Sequence, residues 1–251
     1  QIDPVSGHLA CGTDGLGKMP DPKELYQYVR RELAFPHDLA GMKVLVTAGA
    51  TQEAIDPVRY ITNHSTGKMG YQTALAALRR GARVTLISGP TSLEPPMGAR
   101  LVKVTSAAQM FQAVQEALPT ADIVIKSAAV ADYRPLQAAD HKIKKKEGDL
   151  SIPLARTDDI LAWLGEHRRP GQAVIGFSME TDDLIQNSSK KLEKKKVDMI
   201  VANSLTQEGA GFGGDTNVAC FLTKDGVEQL PKLSKLELGD RILTRALAFL
   251  G

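Results

Sequence analysis

From Lys43 onward the chain alternates short β-branched runs with amphipathic stretches of helical period, and no other feature constrains its fold as tightly. Six runs read as strands: Lys43–Thr47, Arg83–Ile87, Arg100–Val104, Ala121–Ile125, Ala173–Phe177 and Asp198–Ala202. Helices are expected between them at about 68–80, from a Ser106 cap to Leu118, from Thr157 to about His167, and at about 183–196, with an extended stretch at Leu150–Leu154. Parallel strands need crossovers, so this repetition builds a mostly parallel α/β sheet with helices on both faces. Near the end, Val218–Leu222 and Gly226–Leu230 flank Lys224-Asp225 as a β-hairpin, and a last helix runs from about Lys235 to Leu250.

One connection breaks the pattern. Between the first strand and its helix lies Asp56-Pro-Val-Arg-Tyr-Ile-Thr-Asn-His-Ser-Thr-Gly-Lys-Met-Gly70, a long polar crossover where a short loop is usual. Connections of this length inside a compact unit are usually functional. Ser65-Thr66-Gly67 opening a helix would aim free N–H groups and the positive end of its dipole at an anion. The plainer reading is an N-capped helix after a long loop.

Residues 1–41 are a different kind of sequence. Ser6 to Pro20 carries four glycines and is expected to be an irregular, mobile flap holding Cys11. Asp21-Pro22 signals the start of a helix to about Leu33, followed by a linker. The division is thus 1–41 and 42–251. Gln1 in place of Met points to a fragment or processed chain.

Composition excludes several classes. A net charge of +2, from 31 basic and 29 acidic residues, is too balanced to indicate nucleic acid. No apolar run approaches a membrane span and no signal-peptide pattern opens the chain. Two cysteines, Cys11 and Cys220, give no disulfide framework and suit a reducing cytoplasm.

In open parallel sheets, ligands bind beyond the carboxyl ends of the strands. That rule gathers Gly49, Thr51, Ser127 to Asp132, Phe177 to Glu180 and Ala202-Asn203 beside the crossover. A dinucleotide site fits poorly. Ala48-Gly-Ala-Thr-Gln-Glu53 is not G-x-G-x-x-G, the second strand lacks a ribose-binding acid, and Ser65-Thr-Gly-Lys-Met lacks the rest of a P-loop. Lysines at 142, 191 and 195 supply the point cations that a triphosphate needs, the last two on one helical face. Lys144 to Lys146 read as a solvated face.

The crossover, together with Ala128-Ala-Val-Ala-Asp-Tyr-Arg134, Lys142-Ile-Lys-Lys and Gly176-Phe177 with Glu180-Thr181, resembles phosphopantothenate–cysteine ligase. The likeness is to the synthetase half of the bacterial bifunctional phosphopantothenoylcysteine decarboxylase/synthetase of coenzyme A biosynthesis. It covers about Lys43 to the end and implies a Rossmann-like fold. Leu9 to Pro20 resembles the last part of the decarboxylase half, where the cysteine matching Cys11 protonates the product. The FMN-binding body of that half is missing, so no decarboxylation is expected from this chain.

The resemblance implies that 4′-phosphopantothenate attacks CTP, with Mg²⁺, to give an acyl-cytidylate and pyrophosphate. Cysteine then displaces CMP. By motif match, Lys142 serves the first half; Asn63, with Arg59 and Ala128, serves the second. Lys126, Ser127, Ala128, Asp132, Phe177, Lys191, Lys195 and the segment Thr157, Asp158, Asp159, Ile160 match nucleotide-binding positions. Asp132 is the metal candidate. Asp158 stands where the family usually has proline, and its carboxylate would repel phosphates. Family members are homodimers, larger in the intact bifunctional protein, and residues 212–217 are expected near the interface. Rival readings are a nicotinamide-dependent oxidoreductase and an inert oligomerisation module.

Overall fold

The computed structural model describes residues 2–145, 148–180, 183–204 and 214–250. Its main sheet has eight strands: β1 (Lys43–Ala48), β2 (Arg83–Ser88), β3 (Arg100–Lys103), β4 (Ile123–Lys126), β5 (Ala173–Glu180), β6 (Met199–Ser204), β7 (Ala219–Thr223) and β8 (Gly226–Gln229). Their spatial order is β8-β7-β6-β5-β4-β1-β2-β3. The first six run parallel, and the expected hairpin of β7 and β8 extends the sheet antiparallel to β6. The helices are α1 (Pro22–Ala34), α2 (Lys68–Arg79), α3 (Ala107–Ala117), α4 (Ile160–His167), α5 (Leu184–Lys195) and α6 (Lys235–Leu247).

Strand alternation divides the interior in two. Val44, Val46, Ile123, Ile125, Ile175 and Met199 point to the face covered by α2 and α6, where Ala74, Ala77, Ile242 and Leu243 are buried. Leu45, Val124, Val174 and Ile200 point to the other face, against Met110 and Val114 of α3, Leu161 and Leu164 of α4, and Leu192 of α5. A strand residue changes face at every step, so these runs are apolar throughout because both faces are covered. Leu39 is fully buried in the α2/α6 layer, and Arg80 ties Asp38 to the Asp240 carbonyl.

Four expectations change. Residues 6–20 are not irregular: Val5–His8 and Asp14–Lys18 pair antiparallel. The glycines serve the hairpin, Gly12 at its turn with φ +81° and Gly17 at φ +144°, while the pairing needs only backbone groups. The crossover holds a second small hairpin, Gln52–Ala54 with Tyr60–Thr62, too short and polar to show a period-two pattern. Ser65 and Thr66 do not cap α2. Gly67 occupies that position at φ +82° without a side-chain cap, and Ser65 Oγ only accepts from Gly67 N at 3.4 Å. Likewise α4 starts at Ile160 rather than Thr157, capped by Asp159 Oδ1 accepting from Ala162 N at 3.0 Å.

The first turn of α2 lies hard against β1. A Cβ on Gly70 would stand 2.6 Å from Ala48 Cβ and 2.9 Å from Thr47 O. Gly→Ala in a helix ordinarily gains up to about 1 kcal/mol. Here overpacking of about 1–3 kcal/mol should outweigh that gain. Gly70→Ala is therefore expected to lower the urea midpoint; an unchanged or higher midpoint would show that the interface yields.

Candidate active site

The chain leaves β1 for β2 and β3 on one side, then returns to β4, β5 and β6 on the other. The switch point between β1 and β4 is where a doubly wound sheet opens a crevice. An Ala50–Ala129 bridge continues the pairing past the strand ends, with Ala129 N donating to Gly49 O at 2.9 Å. Beside it is a cleft of ≈ 320 Å³ whose lining includes Asn63, Thr66 to Gly70, Lys126 to Val130, Phe177 and Lys191. It shares Lys126, Asp132, Phe177 and Lys191 with a second cavity of ≈ 440 Å³ that takes in Thr157 to Ile160 and Lys195.

Twelve of the fourteen ligase-side residues named above line this double groove: Asn63, Lys126, Ser127, Ala128, Asp132, Thr157, Asp158, Asp159, Ile160, Phe177, Lys191 and Lys195. Arg59 and Lys142 line neither cavity. Cys11 is exposed in the N-terminal hairpin, where a hydrogen bond from Thr13 lowers its thiol pKa. Thr181, Lys146, and residues 212 and 213 of the expected interface loop lie outside the described residues.

The groove is cationic by construction. Lys126, at the carboxyl end of β4, donates to Ala128 O at 3.0 Å. Burial first, and then the neighbouring Lys191 charge, push its ammonium pKa down to about 8, against the opposing pull of Asp159 and Asp132. Burial also lowers Lys191, with Glu180 opposing. Lys195 pairs with Asp159, the α4 cap, so that carboxylate holds a cation at the wall. The uncapped first turn of α2 adds N–H donors on the opposite side. This edge would receive a polyanion.

Asn63 is held in place: its Nδ2 donates to Ala129 O at 3.1 Å. Ala128 is buried, its N–H bonded to Thr47 Oγ1 at 3.1 Å, so it shapes the β4 turn and steadies Lys126. Arg59 faces elsewhere. The fully buried carboxylate of Asp56 accepts from Arg59 N, at 2.8 Å, and from Arg59 Nε, at 3.0 Å. It also accepts from Ile143 N at 3.1 Å, while Arg59 Nη2 donates to Ile143 O at 3.1 Å. The Arg59 guanidinium and these N–H donors hold the Asp56 carboxyl well below the usual carboxylate range. The Asp56–Arg59 pair thus clamps the backbone one residue beyond exposed Lys142. The Ile143 peptide groups, not its side chain, do the anchoring.

Among the described residues no three acidic, histidine or cysteine side chains gather as a metal cage. Magnesium carried on phosphate oxygens needs only one or two protein carboxylates. Asp132 is placed on the wall shared by both cavities, so the donor set suits that mode. The sequence assigns no role to four polar cleft residues, Lys68, Lys235, Asn203 and Asn217. Lys68 stood in the P-loop-like string that was set aside, and Asn203 was placed at the strand edge without a role.

The fold and groove define a doubly wound α/β protein with its cleft at the switch point, and the comparisons specify the family. Residues 39–249 match the DNA/pantothenate metabolism flavoprotein C-terminal domain, and the chain belongs to that family. It is 48% identical over 246 residues to the coenzyme A biosynthesis bifunctional protein CoaBC of Bacillus subtilis (strain 168), covering 96% of this chain but 60% of that relative's length. A crystal structure of the C-terminal domain of a CoaBC protein superposes with a TM-score of 0.70 at 45% identity, covering 82% of this chain and 94% of that one. A Cab2 mutant in complex with phosphopantothenate-cysteine shares the fold at a TM-score of 0.70 and 17% identity, over 93% of this chain and 95% of that one.

Proposed function

We propose that this chain is a phosphopantothenate–cysteine ligase acting in coenzyme A biosynthesis, and that it uses CTP. The observation that carries the reading is the joining of two unlike walls in one groove. A lysine edge (Lys126, Lys191, Lys195) suits a triphosphate, and a neutral amide (Asn63) faces the turn where β4 ends. Family membership supplies the reaction that needs both.

In the first half-reaction the acyl carboxylate attacks the α-phosphorus of CTP, and the bond to pyrophosphate breaks. Two anions must meet, so the lysines and the α2 amides neutralise phosphate charge before attack. Magnesium on the phosphates, with Asp132 as the protein carboxylate, would supply further charge neutralisation. Lys142 acts here, brought over the nucleotide by a segment whose pivot is the clamped Ile143. In the second half-reaction the cysteine amine attacks the acyl carbon and CMP leaves. Asn63 donates to the developing oxyanion through its remaining N–H. Arg59 contributes through Asp56 and the clamp. The chain works as a cytoplasmic homodimer; among the described residues no helix is long and apolar enough to cross a membrane. FMN belongs to the decarboxylase half.

The test is pyrophosphate release. It should require CTP and 4′-phosphopantothenate together. NADPH oxidation without it would favour the oxidoreductase reading.

Lys126 gives a pH signature. A folded-state ammonium pKa of about 8, below its unfolded value, means that the free site loses charge as pH rises through 8. Phosphate stabilises the charged form, so CTP affinity should be flat below pH 7 and fall above pH 8, by at most about tenfold per pH unit. In Lys126→Arg the charge persists and the profile should flatten. Parallel profiles for the two proteins would remove Lys126 from the phosphate contacts.

A further inference from the structure

Among the described residues, five buried side-chain atoms lack a hydrogen-bond partner, and two are carboxamide oxygens: Asn203 Oδ1 and Asn217 Oδ1. Both line the same cleft wall. The residues are 4% and 2% exposed, so neither oxygen has bulk water to fall back on. Asn203 is the penultimate residue of β6, in register with Met179 of β5 and Ala219 of β7. Asn217 pairs with Leu233 just before β7.

The amide orientation of Asn217 is settled by chemistry. Its Nδ2 donates to Met69 Sδ at 3.5 Å. A flipped amide would set an oxygen against a sulfur that has no hydrogen to give, so Oδ1 stays an acceptor without a donor. Buried polar groups are nearly always satisfied, and an orphaned one needs an explanation. Two orphaned acceptors on one cleft wall mark a place built to receive donors.

The identity of those donors follows from the surroundings. Lys126 and Lys191 border this cleft on the side shared with the second cavity. Lys68 and Lys235 border it on the side shared with a third cavity between α2 and α6. Lys68 is ion-paired with Asp215, and among the described residues Asp132 is the one carboxylate in the cleft lining. The other lysines leave the cleft net positive, so a cationic donor such as the cysteine ammonium would be repelled. Carboxamide oxygens also carry no formal charge to hold it. Neutral N–H and O–H groups fit. On the ligase reading above, the substrate that brings them is the acyl one, with its secondary amide and its hydroxyl.

We propose that Asn203 and Asn217 form an acceptor pair that recognises the amide N–H and hydroxyl of the pantothenoyl chain. They orient it so that its carboxylate faces the lysine edge. The pair makes the acyl half of the site selective for chains that carry hydrogen-bond donors. It contributes nothing to nucleotide binding.

The experiment uses the whole chain and two readouts. Asn203→Leu and Asn217→Leu replace an orphaned acceptor by an apolar group of similar size. Each should raise the KM for 4′-phosphopantothenate about tenfold, the loss of one hydrogen bond. The KM for CTP should stay unchanged, and the melting temperature should hold or rise, because an unsatisfied group has gone. Should a leucine variant fail to fold, the corresponding Asn→Ala variant is expected to show the same KM split. Calorimetric titration of 4′-phosphopantothenate into each protein reads the same loss without turnover. An unchanged KM in variants of an active enzyme would refute the acceptor pair, as expected if ordered water satisfies it. So would an equal loss for both substrates, or a lowered melting temperature with kinetics intact. A wild-type chain that neither binds 4′-phosphopantothenate nor releases pyrophosphate would instead refute the ligase reading beneath it.

Discussion

Asn63→Asp is expected to stall the enzyme between its two half-reactions. In the wild type, one N–H of the Asn63 amide is engaged by Ala129 O and the other remains for the acyl carbonyl. Aspartate has the same size and neither donor. Its carboxylate would face the Ala129 carbonyl oxygen, pull away from it, and repel the oxyanion that forms as cysteine attacks. Losing one such donor costs about 10²–10³ in rate, and the added repulsion should deepen the loss. Pyrophosphate release depends on the lysine edge and should persist for at least one turnover. The variant should therefore accumulate 4′-phosphopantothenoyl-CMP even with cysteine in excess, visible by mass in acid-quenched samples. If the first step runs normally and no intermediate builds up, Asn63 lacks this role.

Lys142→Gln is expected to fail one step earlier. The side chain is exposed and lines neither cavity, so its removal should leave the fold and the CTP affinity intact. Loss of one cation that meets phosphate charge in the transition state should cut pyrophosphate release by about 10²–10³. The clamp supplies an independent check. Asp56 holds Ile143 by its backbone N–H, and the paired Arg59 holds the carbonyl. Asp56→Asn removes the charge that keeps Arg59 in place and sets an amide against three N–H donors. This second variant should share the phenotype of Lys142→Gln at lower severity: slow pyrophosphate release, nearly normal CTP binding. Normal release in Lys142→Gln would exclude the lysine from the chemistry. A slow Lys142→Gln beside a fully active Asp56→Asn would exclude the clamp as its pivot.

The sheet was legible because its strands are buried on both faces. Val44 to Val46 and Ile123 to Ile125 are apolar at every position, and only a covered parallel strand asks for that. The groove was legible for a related reason: the strand-end rule needs only strand order and direction, and it placed Ser127 to Asp132, Phe177 and Asn203 at one edge, beside the crossover that carries Asn63. What the sequence hid is short or relational. Gln52–Ala54 and Tyr60–Thr62 are three residues each and leave no period to count. Gly67 displaces Ser65 and Thr66 as the α2 cap because its left-handed φ brings the chain against Gly49, whose backbone N lies 3.2 Å from a Cβ built on Gly67. The Asp56–Arg59–Ile143 clamp joins residues more than eighty positions apart, and the orphaned oxygens of Asn203 and Asn217 exist only once the surrounding donors are counted. Lys235 stood outside every motif, on the first turn of α6, and reaches the cleft through the packing of α6 on α2.

The most direct measurement is a reaction without cysteine. The chain, CTP and 4′-phosphopantothenate are mixed with magnesium, quenched in acid at short times and analysed by mass. The account predicts pyrophosphate and 4′-phosphopantothenoyl-CMP in equal amounts, approaching one per active site. A cysteine chase should then convert that intermediate to 4′-phospho-N-pantothenoylcysteine and CMP. Pyrophosphate formed only when cysteine is present, with no cytidylate at any time, would contradict a two-step ligase on this groove.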